Sequence, residues 1–276
     1  MGHQASTIQI FLRACLPVFL AWSFIPLTFL LPLVDSTRAP YFNLTRPPAQ
    51  FAYWLSQSAG TFGVPTITVL LIVFISRKNI RSQRRFLETG IILLIVLICT
   101  GGGALINEHI LKVHLKIPRP NIIWLAGEDG DGPLKMSPGE FYASGEKKFR
   151  SEMLTDILRQ EPPPVELSSL IENHWIEETG YSFPSGHSFS AMFLATFFLM
   201  TWATATTRKK FWIFYALLPW ALAVCYSRPI LRVHTPMDIT IGSLQGVLVG
   251  IAAVAVFLIL RRRLGLQVER LPATSS

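Results

Sequence analysis

The chain has 276 residues, half of them hydrophobic and only 15% charged, a balance too apolar for an ordinary soluble domain and one that points to a polytopic membrane protein. The formal net charge of +8 does not read as nucleic-acid binding, because the bases fall in short gaps between apolar runs instead of gathering on one soluble face. Three dispersed cysteines, Cys15, Cys99 and Cys225, each sit inside an apolar run and fit neither a disulfide framework nor a zinc site.

Six stretches without Asp, Glu, Lys or Arg follow one another: 14–34, 47–76, 89–107, 188–207, 211–227 and 239–260. About 20 apolar residues cross a bilayer as a helix. The expected fold is therefore an all-α integral membrane protein with six transmembrane helices, at 14–34, 60–76, 89–107, 188–207, 211–227 and 239–260. The runs are continuously apolar and do not alternate, which argues against a β-barrel. Pro17, Pro26 and Pro32 are expected to kink the first helix.

Arg77, Lys78, Arg81, Arg84 and Arg85 follow the second run, Arg208, Lys209 and Lys210 the fourth, and Arg261, Arg262 and Arg263 the sixth. In a six-span chain these clusters share one side with both termini, and the positive-inside rule makes that side cytoplasmic. The other side carries residues 35–60, 121–180 and 228–238. Segment 121–180 holds twelve acidic against five basic residues, while the rest of the chain holds five against twenty. It is expected to be a small, mostly helical periplasmic insertion, with short helices near 152–160 and 172–178.

Three polar clusters lie where the third, fourth and sixth runs meet this outer side. They are Lys112 with Arg119-Pro120; Pro184-Ser185-Gly186-His187; and Ser227-Arg228 with His234 and Asp238. Lys112, Arg119 and Arg228 supply permanent cations, and guanidinium groups suit bidentate contact with phosphate oxygens. Ser185, Gly186 and His187 open a helix, whose free N–H groups attract an anion. His234 and Asp238 are four apart, so they share a face if the sixth helix begins there. A carboxylate on Nδ1 then fixes the imidazole tautomer and frees Nε2 to attack, while His187 is placed to protonate a departing alkoxide. Such a set fits phosphoryl transfer.

In order and spacing the three clusters resemble the type 2 phosphatidic acid phosphatase superfamily. The flanks Arg119-Pro120-Asn121-Ile122-Ile123-Trp124-Leu125 and His174-Trp175-Ile176-Glu177-Glu178-Thr179-Gly180, with Phe183, resemble its bacterial phosphatidylglycerophosphatase members. The resemblance implies His234 as nucleophile forming a phosphohistidine, Asp238 orienting it and His187 as general acid. It implies Lys112, Arg119, Ser185, Gly186 and Arg228 as the phosphate cradle, with no metal and no cofactor. The expected substrate is phosphatidylglycerol phosphate, with undecaprenyl diphosphate and phosphatidic acid as further ones. The alternatives are a dedicated undecaprenyl-diphosphate phosphatase, a lipid A phosphatase or phosphotransferase, and a non-catalytic transporter or sensor. The expected location is a bacterial inner membrane with the site on the outer side.

Other polar residues carry plainer readings. Lys116 and Arg232 are expected to snorkel to the interface. His109, His114 and His174 read as structural hydrogen-bonding residues, and Trp124 and Trp175 as interfacial anchors or lipid contacts. Glu108 is left without a chemical role.

Overall fold

A computed structural model describes residues 2–30, 43–76, 83–205 and 212–266, and all regular structure among them is helical. Helix α1 (Gly2–Trp22) continues into a short 3-10 turn, Pro26–Leu30. The second apolar run divides. Pro47 and Pro48 start a separate helix α2 (Pro47–Gln57), and α3 (Gly63–Ser76) follows after a glycine-flanked turn. Proline suits the first helical turn because its missing N–H has no partner there anyway. Helix α4 (Gln83–Ile106) passes through a π turn at Asn107–Leu111 into α5 (Lys112–Leu115), so helix continues beyond the third apolar run and carries Lys112.

The segment between α5 and the next long helix holds α6 (Pro120–Ala126), α7 (Pro138–Ala143), α8 (Lys147–Leu158) and α9 (Ser169–Glu177). Helices α8 and α9 overlap the stretches 152–160 and 172–178 where short helices are expected, and α6 and α7 are additional. Helices α10 (Gly186–Ala205), α11 (Trp212–Tyr215), α12 (Leu217–Ile230) and α13 (Pro236–Arg263) complete the chain. The basic clusters at 77–81 and 208–210, and Pro32, lie outside the described residues.

Two apolar cores divide the work. The larger one joins α1, α3, α4, α10, α11, α12 and α13. Helix α10 is its axis: every residue from Ala191 to Met200 is buried, as a helix apolar on all sides requires. It packs closely on α13 because Gly242, Gly246 and Gly250, four apart, face it. A Cβ added at Gly242 or Gly246 would overlap the carbonyl oxygens of Ser185 and Phe189. Small residues at this spacing let two backbones touch. The smaller core joins α2 to helices α6 to α9 and includes Leu231 and Val233, which shortly precede His234 in sequence.

The outward faces of the bundle remain apolar. Leu94, Leu97 and Ile98 of α4, Leu70 and Val73 of α3, and Leu248, Val256 and Ile259 of α13 are all exposed. Continuous apolar surface of this kind marks contact with lipid or protein. By length and composition two stretches among the described residues can cross a membrane, within Phe86–Ala126 and Pro236–Arg263.

Candidate active site

The site lies at the seam between the two cores, where the turn between α12 and α13 carries His234. This residue precedes the last helix and does not share a helical face with Asp238. Thr235 is the N-cap of α13, and Asp238 stands at the third helical position of a capping box: the Asp238 N–H donates to Thr235 Oγ1 (3.2 Å) and the Thr235 N–H to Asp238 Oδ2 (2.7 Å). The same carboxylate oxygen lies 3.4 Å from His234 Nδ1. The cap bends the carboxylate back over the turn, which brings the pair together without helical register. Ser182 Oγ donates to Asp238 Oδ2 and sits 3.3 Å from His234 Nδ1.

With Nδ1 held from this side, His234 Nε2 faces Arg119 Nη1 at 3.3 Å. Arg119 is fixed in its own right. Its Nε donates to the Gly180 carbonyl (2.8 Å), its Nη1 to the Val233 carbonyl (3.0 Å), and its Nη2 pairs with Glu178 Oε2 at 2.5 Å. Glu178 Oε1 accepts from Arg228 Nη2 at 3.0 Å. Arg228 has no exposed surface at all; its Nη1 donates to Ser56 Oγ and lies 3.3 Å from His174 Nε2. Its Nε has no hydrogen-bond partner among the described residues. A buried guanidinium donor left over beside the Arg119 cation and its shared Glu178 is one an anion could use, since an unmet buried donor costs about 1–3 kcal/mol.

The fourth-helix cluster meets the same place. The Ser185 N–H donates to the Asp238 carbonyl (3.0 Å) and the Ser185 hydroxyl accepts from Ser188 Oγ (3.0 Å). The Ser185 N–H is thus engaged, and the anion-facing donors of α10 reduce to Gly186 and His187, which its first turn leaves without helical partners. His187 Nε2 comes from the other side, close enough that a Cβ on Gly60 would stand 3.2 Å from it. Lys112, almost fully buried, pairs with Glu108 one turn earlier. Arg119, Ser185, Arg228, His234 and Asp238 are thus joined in one network, with Glu178 linking the two arginines, and Lys112 approaches it through Glu108, whose second oxygen lies beside Gly180.

Charge explains how such a site survives burial. Two buried guanidiniums need an anion, because an unpaired internal charge is costly. Burial alone would raise the Glu178 carboxyl, but Arg119 and Arg228 overrule it and hold it well below the usual carboxylate range. Burial, helped by the Arg119 and Arg228 cations and opposed by Asp238, pushes His234 down to about 3, so the resting imidazole is neutral. His174 falls to about 3 for the same reasons, burial first and then Arg228.

Several partners here escaped the sequence reading. Glu178 stood only as part of a flank, though three clustered cations call for an internal anion. Ser182 and Ser56 gave no signal, since their use depends on folding alone. His174 makes a hydrogen-bonding contact of the kind expected, and its partner is Arg228, 3.3 Å away, which it meets from α9. Arg232 does not snorkel. It is 3% exposed, with its guanidinium 5.4 Å over the Trp124 ring. Trp175 is neither anchor nor lipid contact, being fully buried with Nε1 donating to the Leu231 carbonyl (2.9 Å). His109, His114 and Lys116 are exposed. Tyr142 braces the site: its hydroxyl accepts from the Arg119 N–H (3.2 Å) and donates to the Gly180 carbonyl (3.3 Å).

Buried arginines, histidines and an aspartate beside apolar outer surfaces suit phosphate chemistry next to lipid, and the chain's family and relatives make the class a phosphatase acting on lipid phosphates. The chain belongs to the PAP2 superfamily, whose family model matches residues 89–262. It is similar to phosphatidylglycerophosphatase B of Escherichia coli, 27% identical over 194 residues that cover 70% of each chain. The Haemophilus influenzae protein of that name is 26% identical over 205 residues, covering 71% of this chain and 77% of the relative.

Proposed function

We propose that the chain removes the terminal phosphate of phosphatidylglycerol phosphate through a phosphohistidine on His234. The observation that carries this reading is the two-sided hold on that ring: Nδ1 toward Asp238 and Nε2 toward Arg119. A neutral imidazole with its proton on Nδ1 has its lone pair on Nε2, directed at the cations. The names of the relatives and the lipid-facing surfaces favour this substrate.

In the first step Nε2 bonds to phosphorus and the phosphorus–ester oxygen bond breaks. His187, which takes up a proton as the phosphate anion enters beside it, gives that proton to the departing alkoxide, Asp238 balances the charge gained by the His234 ring, and Lys112, Arg119 and Arg228 balance the phosphoryl oxygens. In the second step His187 takes a proton from water, whose oxygen bonds to phosphorus as the bond to Nε2 breaks. The products are inorganic phosphate and free His234. The proposal needs no metal and no cofactor.

The placement proposed is six membrane-crossing segments with both termini cytoplasmic, and the site and residues 121–180 on the outer side of a bacterial inner membrane. The uneven charge of the chain supports it. Undecaprenyl diphosphate and phosphatidic acid are further expected substrates, because the cradle meets phosphate and the chains need only a groove between helices. The test is full-length protein in detergent, given phosphatidylglycerol phosphate, undecaprenyl diphosphate and lipid A side by side. Fastest phosphate release from phosphatidylglycerol phosphate is expected. Preference for another lipid would reassign the substrate, and no release from any lipid would overturn the enzyme reading.

A further inference from the structure

The resting cradle carries its own anions. Glu178 spans Arg119 and Arg228, and Glu108 pairs with Lys112, so each of the three cations already has a carboxylate. The two carboxylates differ in freedom. Glu178 is 17% exposed and held from two sides, whereas Glu108 is 52% exposed and held by a single partner that is itself only 5% exposed. Its second oxygen lies over Gly180, where an added Cβ would stand 4.0 Å away, and Gly180 supplies the carbonyl that fixes Arg119. Glu108 thus hangs over the rim of the site on the π turn at Asn107–Leu111, a distortion often found where helices carry function.

We propose that Glu108 is a positioning residue acting through Lys112: it occupies the ammonium between turnovers, swings outward when a phosphate enters, and returns as inorganic phosphate leaves. The inference rests on the phosphatase reading of the same site and adds an internal competitor to it. Lys112 is too buried to find another partner without moving its helix, while the half-exposed carboxylate exchanges its ion pair for water at little cost. A dianionic phosphate offers the ammonium more charge than one carboxylate does, and the displaced Glu108 remains near enough to drive product out.

The sign of one measurement decides between this role and a merely structural one. A residue that only held Lys112 in place would weaken phosphate binding when removed; a competitor would strengthen it. The probe is inorganic phosphate, titrated into the detergent-solubilised full chain by calorimetry, a readout that needs no turnover. Glu108→Gln is expected to tighten phosphate roughly threefold or more, the scale of a half-exposed ion pair, and Glu108→Asp to fall between it and the parent. Unchanged or weaker binding overturns the proposal. In a Lys112→Met background the gain from Glu108→Gln should shrink below about twofold, as coupled residues require. A gain that persists in full would show general charge repulsion and also overturn it. Lipid hydrolysis by the parent protein, measured separately, tells failure of the enzyme reading from failure of this one.

Discussion

The backbone N–H of Ser185 donates to the backbone carbonyl of Asp238 across 3.0 Å, tying the start of one buried helix to the first turn of another. The bond is possible because Gly242, one turn beyond Asp238, has no side chain to hold the helices apart. Through it Ser185, which precedes α10, and Asp238, which holds the nucleophile candidate, share one rigid joint. Misalignment of either helix moves both.

Widening that joint should therefore abolish activity with the side chains of the three clusters intact. Gly246→Val would drive a branched side chain into the Phe189 carbonyl, and overpacking of this kind costs about 1–3 kcal/mol or more. The expected result is a lower melting temperature in detergent and loss of lipid hydrolysis. Gly101→Ala, where an added Cβ meets nothing within 4 Å, is the matched control; it should leave activity unchanged and raise stability by about 0.5–1 kcal/mol.

Asp238 has two duties that mutation can separate. Thr235→Ala removes the hydroxyl half of the capping box but leaves the carboxylate, and should cost about 1 kcal/mol of stability with hydrolysis within a few-fold of the parent. Asp238→Asn keeps the shape and loses the charge that fixes the Nδ1 proton, and should lower kcat by about 10²–10⁴-fold. Equal effects of the two variants on kcat would show that Asp238 acts only as a cap.

Quenching turnover with denaturant at mildly alkaline pH should leave labelled phosphate on the protein, and subsequent acid treatment should release it, as a phosphoramidate requires. The label should vanish in His234→Ala and accumulate in a variant slowed in the second step. An acid-stable label would move the nucleophile to Ser185.

Glu178 compensates two buried guanidiniums, so Glu178→Ala should destabilise the protein by about 3–5 kcal/mol, the cost of breaking a buried pair. Millimolar inorganic phosphate should recover part of the lost melting temperature in the variant, because it supplies the missing anion. Absence of any recovery would mean that phosphate cannot reach these arginines.

His174 gives a pH signature. Its folded value of about 3 lies below the ordinary 6.5, so between these values the unfolded chain binds a proton that the folded chain does not. Stability from this group is complete above about pH 6.5 and falls with acidification by about 1.4 kcal/mol per unit. His174→Asn should flatten the fall in melting temperature between pH 6.5 and 4.5 by about one proton's share. An unchanged slope would place the proton uptake elsewhere.

The linear sequence determined the helical class, the six apolar runs and the eight polar residues, because each is written in local spacing: charge-free length, basic gaps, and serine, glycine, histidine and arginine at fixed intervals. The chain itself also put His234 four residues before Asp238. Only tertiary structure decided how that pair meets, through a cap instead of a helical face, and only packing brought Glu178, Ser56 and His174 to the cations and Ser182 to the His234–Asp238 pair. Those partners come from segments tens to more than a hundred residues away, where no periodicity links them. Electroneutrality in a buried site demands an internal anion, but which carboxylate supplies it depends on where the outer segment docks.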